Sequence, residues 1–153
     1  MRGILAALVD AVQSRGKRIR GASTITQQVM KNFLLDRSRR AERKVKEIIL
    51  ATRIERSLTK EQILELYLNE IFLGQNSYGV TAASQTYFNK TLDELAPHEA
   101  AFLAALPKAP SDYHPVREKE RLLERRNYVL KEMFQNGYLP KRIYEYELTQ
   151  PIK

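Results

Sequence analysis

Apolar residues recur along this chain at intervals of three and four, the spacing of one face of an α-helix. Residues 4–12 fit the end of an amphipathic helix, and residues 116–135 fit a longer, highly charged one. A short final helix is predicted over about 140–148. No alternating run is long enough to predict a strand. The pattern predicts an all-α protein of about seven helices in one domain.

Helix boundaries are marked by particular residue types. Capping boxes, in which a Thr is followed three residues later by Gln or Glu, predict helix starts at Thr24, Thr59 and Thr91. Pro97 suits the first turn of a further helix. Gly137 is predicted to end the long charged helix, because glycine readily adopts the backbone conformation of a carboxyl-terminal cap.

Composition excludes several kinds of site. The 153 residues are 43% hydrophobic and 29% charged, which suits one globular domain with its own core. Because there is no cysteine, disulfides, cysteine-ligated zinc and a cysteine nucleophile are excluded. The two histidines, His98 and His114, lie far apart, which argues against a histidine-rich metal site. No stretch reaches the roughly 18 consecutive apolar residues of a transmembrane helix.

The positive charge is concentrated in one region. The formal net charge is +8, but residues 15–46 alone carry +9, with eleven Lys or Arg against two acids. Residues 47–153 carry −1. Such a concentration favours an anionic partner: nucleic acid, acidic lipid headgroups or a phosphorylated substrate. A solvated basic face without a specific partner is the alternative.

Four motifs then follow one another: residues 21–35 (GASTITQQVMKNFLL), 43–47 (RKVKE), 63–69 (ILELYLN) and 125–130 (RRNYVL). In order and spacing they resemble the second to fifth signatures of the family 51 glycosyltransferases. This family comprises the amino-terminal catalytic domain of class A penicillin-binding proteins and the monofunctional peptidoglycan transglycosylases. The resemblance runs from about residue 2 to about residue 138.

The resemblance implies a lysozyme-like all-α domain that is incomplete at its amino terminus. The family's first signature, which carries the general-base glutamate, lies upstream of a stretch like residues 2–7 and is not in this sequence. Residues 1–138 are therefore expected to form the glycosyltransferase domain without that signature. Residues 139–153 are expected to begin a linker toward a missing carboxy-terminal domain.

The implied reaction polymerises lipid II into glycan strands with inversion at the anomeric carbon and release of undecaprenyl pyrophosphate. The implied partners are lipid II, the growing strand and the membrane surface, and no nucleic acid. The parent protein would act at the outer face of the cytoplasmic membrane, with or without a transpeptidase domain. The resemblance implies no definite cofactor and leaves a divalent metal such as Mg²⁺ open. This chain alone is expected to be inactive.

The resemblance assigns the site residues. Glu47 corresponds to the second essential acid, whereas its plain alternative is an ion pair with Arg43 at the i, i+4 spacing. Gln27 and Lys31 also lie four apart, so both could face one cleft. The implied substrate-binding set is Ser23, Thr24, Gln27, Gln28, Lys31, Arg39, Arg43, Lys44 and Lys46. Capping of a helix and a solvated basic surface are the alternatives for these residues.

A second set of signature residues is expected to be structural: Glu65, Tyr67, Asn69, Arg125 and Asn127. Leu64, Leu66 and Leu68 surround the first three, which predicts a helix central to the core. Residues 33–35 are apolar and follow a lysine, which suits either core packing or a membrane headgroup interface. Two other functions stay open at this point: a non-catalytic lipid II-binding remnant and a basic nucleic-acid binder. A plain lysozyme-like hydrolase has no use for the basic stretch.

Overall fold

The computed structural model describes residues 24–33, 40–108 and 118–152. The chain divides into two compact units, Met1–Glu70 and Ile71–Lys153. The predicted helix over residues 4–12 lies outside the described residues, as do residues 34–35 of the apolar patch.

The first unit contains three described helices: α1 (Ile25–Phe33), α2 (Arg40–Ser57) and α3 (Lys60–Glu70). Helix α1 contacts both α2 and α3, which places it centrally among them. Its buried Val29 and Met30 pack with Ala51 of α2. Four half-buried side chains complete this cluster: Leu50, Ile54, Leu66 and Tyr67.

The predicted capping residues start these helices. The Thr59 hydroxyl accepts a bond from the Gln62 N–H at 3.2 Å, and the Gln62 side chain accepts one from the Thr59 N–H at 2.9 Å. At Thr24 the hydroxyl accepts from the Gln27 N–H at 3.2 Å. The two predicted helix starts are confirmed, and at each one a backbone donor that a free helix end would leave unpaired is satisfied.

The expectation that α3 is central to the core holds for one face of the helix only. Leu64 is 44% exposed and Leu68 36% exposed, and Ile63 is its buried residue. Leucines spaced by two point alternately to opposite sides of a helix, because each residue turns it by about 100°. Leu66 therefore reaches the core cluster while Leu64 and Leu68 face outward.

The second unit contains α4 (Val80–Phe88), α5 (Pro97–Ala105), α6 (Lys119–Gln135) and α7 (Lys141–Leu148). Short 3₁₀ turns span Leu92–Glu94 and Leu106–Lys108. Helix α5 contacts α4, α6 and α7. Its Phe102 ring lies 5.2 Å from that of Tyr87 and 5.4 Å from that of Phe88, both on α4. Such edge-on aromatic pairs add to the stability that burial provides.

Three boundary predictions fall in this unit. The Thr91–Glu94 capping box is present but opens a 3₁₀ turn and not an α-helix. Pro97 is in the first turn of α5, as predicted. Gly137 ends α6 with φ of +82°, and the next N–H, of Tyr138, bonds the Met133 carbonyl at 2.9 Å. The predicted glycine cap is therefore confirmed.

Residues 139–153, predicted to begin a linker, contain α7, which packs against α5 and α6. Glu147 and Ile152 of this segment are buried. The boundary at residue 138 stays a prediction. The described residues contain one isolated β-bridge, between Phe72 and Tyr78, and no longer strand, in keeping with the predicted all-α class. None of the described helices is long and apolar enough to cross a bilayer.

Candidate functional site

Glu47 is a buried carboxylate on α2, only 3% exposed. Its Oε1 lies 3.6 Å from Arg43 Nε, and its Oε2 lies 3.5 Å from Lys44 Nζ. Both cations come from the preceding turn of the same helix, because residues three and four apart share a face. Each carboxylate oxygen therefore faces a positive charge.

Lys44 extends this cluster to a second helix. Its Nζ also donates to Gln27 Oε1 on α1, at 3.3 Å. Gln27 is 1% exposed, and its other polar atom, Nε2, has no hydrogen-bond partner among the described residues. A buried donor without a partner is uncommon, because it forfeits a bond that water would provide. The cluster therefore holds one donor that a ligand could satisfy.

Helix α1 begins at Ile25, two residues before Gln27 of this cluster. Thr24 is exposed and precedes the helix, and the Gln28 N–H bonds the Thr24 carbonyl at 3.0 Å. First-turn N–H groups and the helix dipole favour a negative charge at such an end. The residues predicted to bind an anion are thus arranged at a helix start and around a lysine.

The other predicted cations are less closely gathered. Lys31 and Lys46 are exposed, although Gln27, four residues before Lys31, is buried. A common cleft for Gln27 and Lys31 stays a prediction. Ser23 and Arg39 lie outside the described residues. Of the predicted set, Gln27, Arg43, Lys44 and Glu47 are the ones that described contacts join.

A metal ion does not fit this arrangement. Both oxygens of Glu47 face cations, which would repel a divalent ion. Among the described residues, no three His, Asp or Glu side chains lie together as ligands for a metal ion. A cavity of about 530 Å³ in the same unit is mostly apolar. Its described lining, which includes Thr26, Ile63 and Leu64, does not contain Glu47.

The residues predicted to be structural differ in their surroundings. Tyr67 packs on the core cluster, and burial raises the pKa of its hydroxyl. Glu65 and Asn69 are exposed. The Arg125 guanidinium lies over the Tyr128 ring at 4.6 Å. Their structural role stays a prediction, with contacts that support it at Tyr67.

Arg126, which the sequence did not single out, is the buried arginine of the fifth motif, at 1% exposure. Its Nε and one terminal nitrogen donate to Asn127 Oδ1 at 3.2 and 2.9 Å. The other donates to the Gln150 carbonyl at 2.6 Å. Burial lowers the pKa of Arg126, and the charge of Glu147 opposes that shift. Its position midway between Leu122 and Leu130 was the available signal.

Glu99 is a second buried carboxylate that the sequence did not reveal, at 5% exposure. Lys90 Nζ lies 2.9 and 3.0 Å from its two oxygens, and the Ala96 N–H donates at 2.9 Å. Burial alone would raise the pKa of Glu99, but these bonds and the charges of Lys90 and His98 lower it overall. Nearby, Glu147 accepts from the His98 N–H at 2.9 Å.

Fold and site together define a helical protein whose buried carboxylate is held between cations beside a helix start. The chain matches the model of a family described as Transglycosylase over residues 1–134. That match covers most of the chain, so the chain belongs to the transglycosylase family, and the resemblance seen in the sequence is confirmed.

Its relatives agree. Penicillin-binding protein 1A of Rickettsia felis is 54% identical over 136 residues, which are 89% of this chain and 17% of that protein. The protein of that name from Aquifex aeolicus is 53% identical over 137 residues, 90% of this chain and 19% of that protein. In Escherichia coli K12 the identity is 49% over 150 residues, 98% of this chain and 18% of that protein.

A solved structure gives the same result. The crystal structure of penicillin-binding protein 1A from Haemophilus influenzae is similar at a TM-score of 0.59 and 41% identity. The likeness covers 88% of this chain and 17% of that one. The predicted helical fold class is thereby confirmed. The chain spans less than a fifth of the length of these relatives.

Proposed function

We propose that this chain forms part of the site of a peptidoglycan glycosyltransferase that joins lipid II units into glycan strands. The observation that carries the proposal is the buried Glu47, whose partner Lys44 also bonds Gln27 on another helix. Membership of the transglycosylase family supports the reaction class. Undecaprenyl pyrophosphate is the proposed leaving group.

The reaction requires positive charge where the leaving group departs. A sugar hydroxyl of one lipid II attacks the anomeric carbon of the growing strand, and a new carbon–oxygen bond forms. The bond to the pyrophosphate breaks, and that group leaves with the electron pair. The hydroxyl proton passes to a base, which the sequence resemblance places upstream of this chain. Attack opposite the leaving group inverts the anomeric centre.

Arg43, Lys44 and Gln27 supply what the pyrophosphate needs. Charge-assisted bonds are typically about 2.7–2.9 Å long, whereas Arg43 and Lys44 lie 3.6 and 3.5 Å from Glu47. Such loose contacts exchange for phosphate oxygens at little cost. The unpaired Gln27 Nε2 offers a further donor, and Glu47 positions both cations. Ser23, Thr24, Gln28, Lys31, Arg39 and Lys46 complete the proposed substrate-binding set.

The setting of the reaction is also a proposal. Residues 1–138 would belong to the glycosyltransferase domain of a longer protein at the outer face of the cytoplasmic membrane. That protein would meet lipid II and the growing strand at the membrane surface. The relatives' name, penicillin-binding protein, suggests a transpeptidase domain in the parent.

The decisive experiment replaces Glu47 with Gln in a full-length parent protein carrying this segment. Lipid II polymerisation should fall by about 10²–10³-fold, the loss typical when one transition-state charge contact is removed. Glu55→Gln, at an exposed glutamate of the same helix, is the matched control and should stay near wild type. Circular dichroism checks the fold of both variants.

If the Glu47→Gln parent makes glycan at the wild-type rate, the Glu47 carboxylate takes no part in the reaction. A parent that binds lipid II and never polymerises it would support the alternative function, a non-catalytic binding remnant. The chain on its own should not polymerise lipid II. Polymerisation by the isolated chain would contradict the proposal that the general base lies outside it.

A further inference from the structure

The cavity of about 530 Å³ in the first unit lies beside the start of α1. Its described lining comes from the first turn of α1, the end of α2 and the start of α3. Four of these residues are aliphatic and none is aromatic: Ile25, Leu58, Ile63 and Leu64. The walls therefore suit a flexible aliphatic ligand, which makes contacts without needing a particular orientation.

The opening of this cavity is apolar as well. Ile25 is 42% and Leu64 44% exposed, whereas Ile63 in the same lining is 6% exposed. Single exposed apolar side chains are ordinary on a protein surface. Two that line one cavity put apolar surface both at its opening and inside it, which is typical of a binding site. An apolar ligand that covers this surface removes it from water, which favours binding.

The volume of the cavity suits a thin chain and not a helix. A helix of ten residues is about 10 Å wide and 15 Å long and fills roughly 1,200 Å³, more than twice this volume. A cavity of about 150 Å³ in a protein core is large enough for a benzene molecule. By that measure, 530 Å³ has room for about twenty carbon atoms, or about four isoprene units.

The cavity and the Glu47 cluster are built on the same helices. Thr26 lines the cavity, and the next residue, Gln27, bonds Lys44 of the cluster. On α2, the lining residue Glu55 follows Glu47 by eight residues, about 12 Å along the helix axis. Eight residues also turn the helix by about 80° beyond two full turns, so the two glutamates lie on neighbouring sides of α2. A long apolar chain attached to a phosphate at Lys44 can therefore reach the cavity.

We propose that this cavity binds a segment of the isoprenoid chain of a lipid-linked sugar whose pyrophosphate lies at the Glu47 cluster. The choice of an isoprenoid rests on the proposed glycosyltransferase function, whose leaving group is undecaprenyl pyrophosphate. Glu55 and Lys60 of the lining are exposed. Their charges stay in water, because burying them against the chain would cost free energy, while the chain lies on the aliphatic side chains.

The test measures binding of farnesol, below its solubility limit, to the 153-residue chain by calorimetric titration. Farnesol is a neutral isoprenoid alcohol, so it probes the cavity without the cations. Leu64→Asp should weaken this binding about tenfold, because the apolar contact of one leucine is lost and a charge is placed in the lining. Leu68→Asp, at a leucine 36% exposed on the same helix but outside the described lining, is the matched control and should stay within about twofold of wild type. Circular dichroism checks the fold of both variants.

Failure of farnesol to bind, or equal affinities of Leu64→Asp and Leu68→Asp, would overturn the proposal. A dimer in sedimentation that Leu64→Asp dissociates would also overturn it, in favour of a second copy of the chain on this surface. These results are separable from the proposed function. Farnesol binding that depends on Leu64, with a Glu47→Gln parent that still polymerises lipid II, would disprove the function and keep the apolar site. Loss of polymerisation in that parent without farnesol binding would do the reverse.

Discussion

Glu47 and Glu99 are two buried glutamates that each face a lysine, yet they differ in how completely they are bonded. Glu99 has Lys90 at 2.9 and 3.0 Å and a backbone N–H at 2.9 Å. Glu47 has its cations at 3.5 and 3.6 Å. Its amide neighbour Gln27 keeps one donor unpaired. The same residue types thus form a closed network in one unit and an incomplete one in the other.

The difference separates a structural carboxylate from one suited to act on a ligand. A fully bonded buried charge contributes to stability and has little capacity left for another partner. Around Glu47 the contacts are longer and the Gln27 Nε2 donor has no partner among the described residues, a cost in stability that functional sites commonly show. We therefore expect substitutions at Glu99 to affect stability and substitutions around Glu47 to affect binding.

The largest effect should come from Arg126, the buried arginine of the same unit as Glu99. Arg126→Met would leave the Asn127 oxygen, the Gln150 carbonyl and the Glu147 charge without their cation. The free energy of unfolding should fall by about 3–5 kcal/mol, as for other broken buried pairs. Urea unfolding followed by circular dichroism measures it, with Arg125→Met as the control. Equal losses in both variants would contradict the central role of Arg126.

Glu99→Gln should lower the free energy of unfolding by about 1–3 kcal/mol at pH 7, and Glu47→Gln by less, because its cations lie farther away, at 3.5 and 3.6 Å. Because the pKa of Glu99 is lowered in the folded chain, its contribution is present above the ordinary value of 4.5. It is lost as the pH falls through the folded pKa. The gap between wild type and Glu99→Gln should therefore close in acid. A gap that persists at pH 2–3 would be inconsistent with an ionised Glu99.

Lys44→Met should weaken binding of inorganic pyrophosphate to the chain about tenfold, since one charge-assisted contact is lost. Lys90→Met removes a lysine from the closed network and should leave that affinity unchanged. Calorimetric titration at two salt concentrations checks both variants. Wild-type affinity should fall with salt. A similar loss of pyrophosphate affinity in both lysine variants would contradict the proposed difference between Glu47 and Glu99.

The smallest expected effect on stability is at Gln27. Gln27→Met removes an acceptor for Lys44 but also removes a buried donor that has no partner. These two changes oppose each other, so the free energy of unfolding should move by less than about 1 kcal/mol. Pyrophosphate binding should nevertheless weaken. Thermal unfolding and titration of the same sample compare the two quantities, and unchanged binding would exclude the amide as a ligand group.

Much of the fold and part of the site could be predicted from the sequence. Thr59, Pro97 and Gly137 mark boundaries through local chemistry, which residue identity determines nearly alone. Helix spacing also predicted that Arg43 could pair with Glu47. The link from Lys44 to Gln27 depends on how two helices pack, so spacing within one helix could not predict it.

The misses have different causes. The position of Glu99 opposite Lys90 depends on the path of the intervening turn, which no periodicity records. Arg126 lies on the same helix face as the buried Leu122 and Leu130. Their spacing could therefore have shown that Arg126, and not Arg125, is buried. The leucines of α3 predicted a helix central to the core, but their spacing of two puts Leu64 and Leu68 on the face opposite Leu66.

The bond from Arg126 to the Gln150 carbonyl has a mechanical consequence. A force that pulls on the chain just beyond Gln150 would act on the middle of α6 through the Arg126 guanidinium before it could unwind α7. Tension applied there thus acts on the interior of the second unit, and α7 is not the first helix to detach.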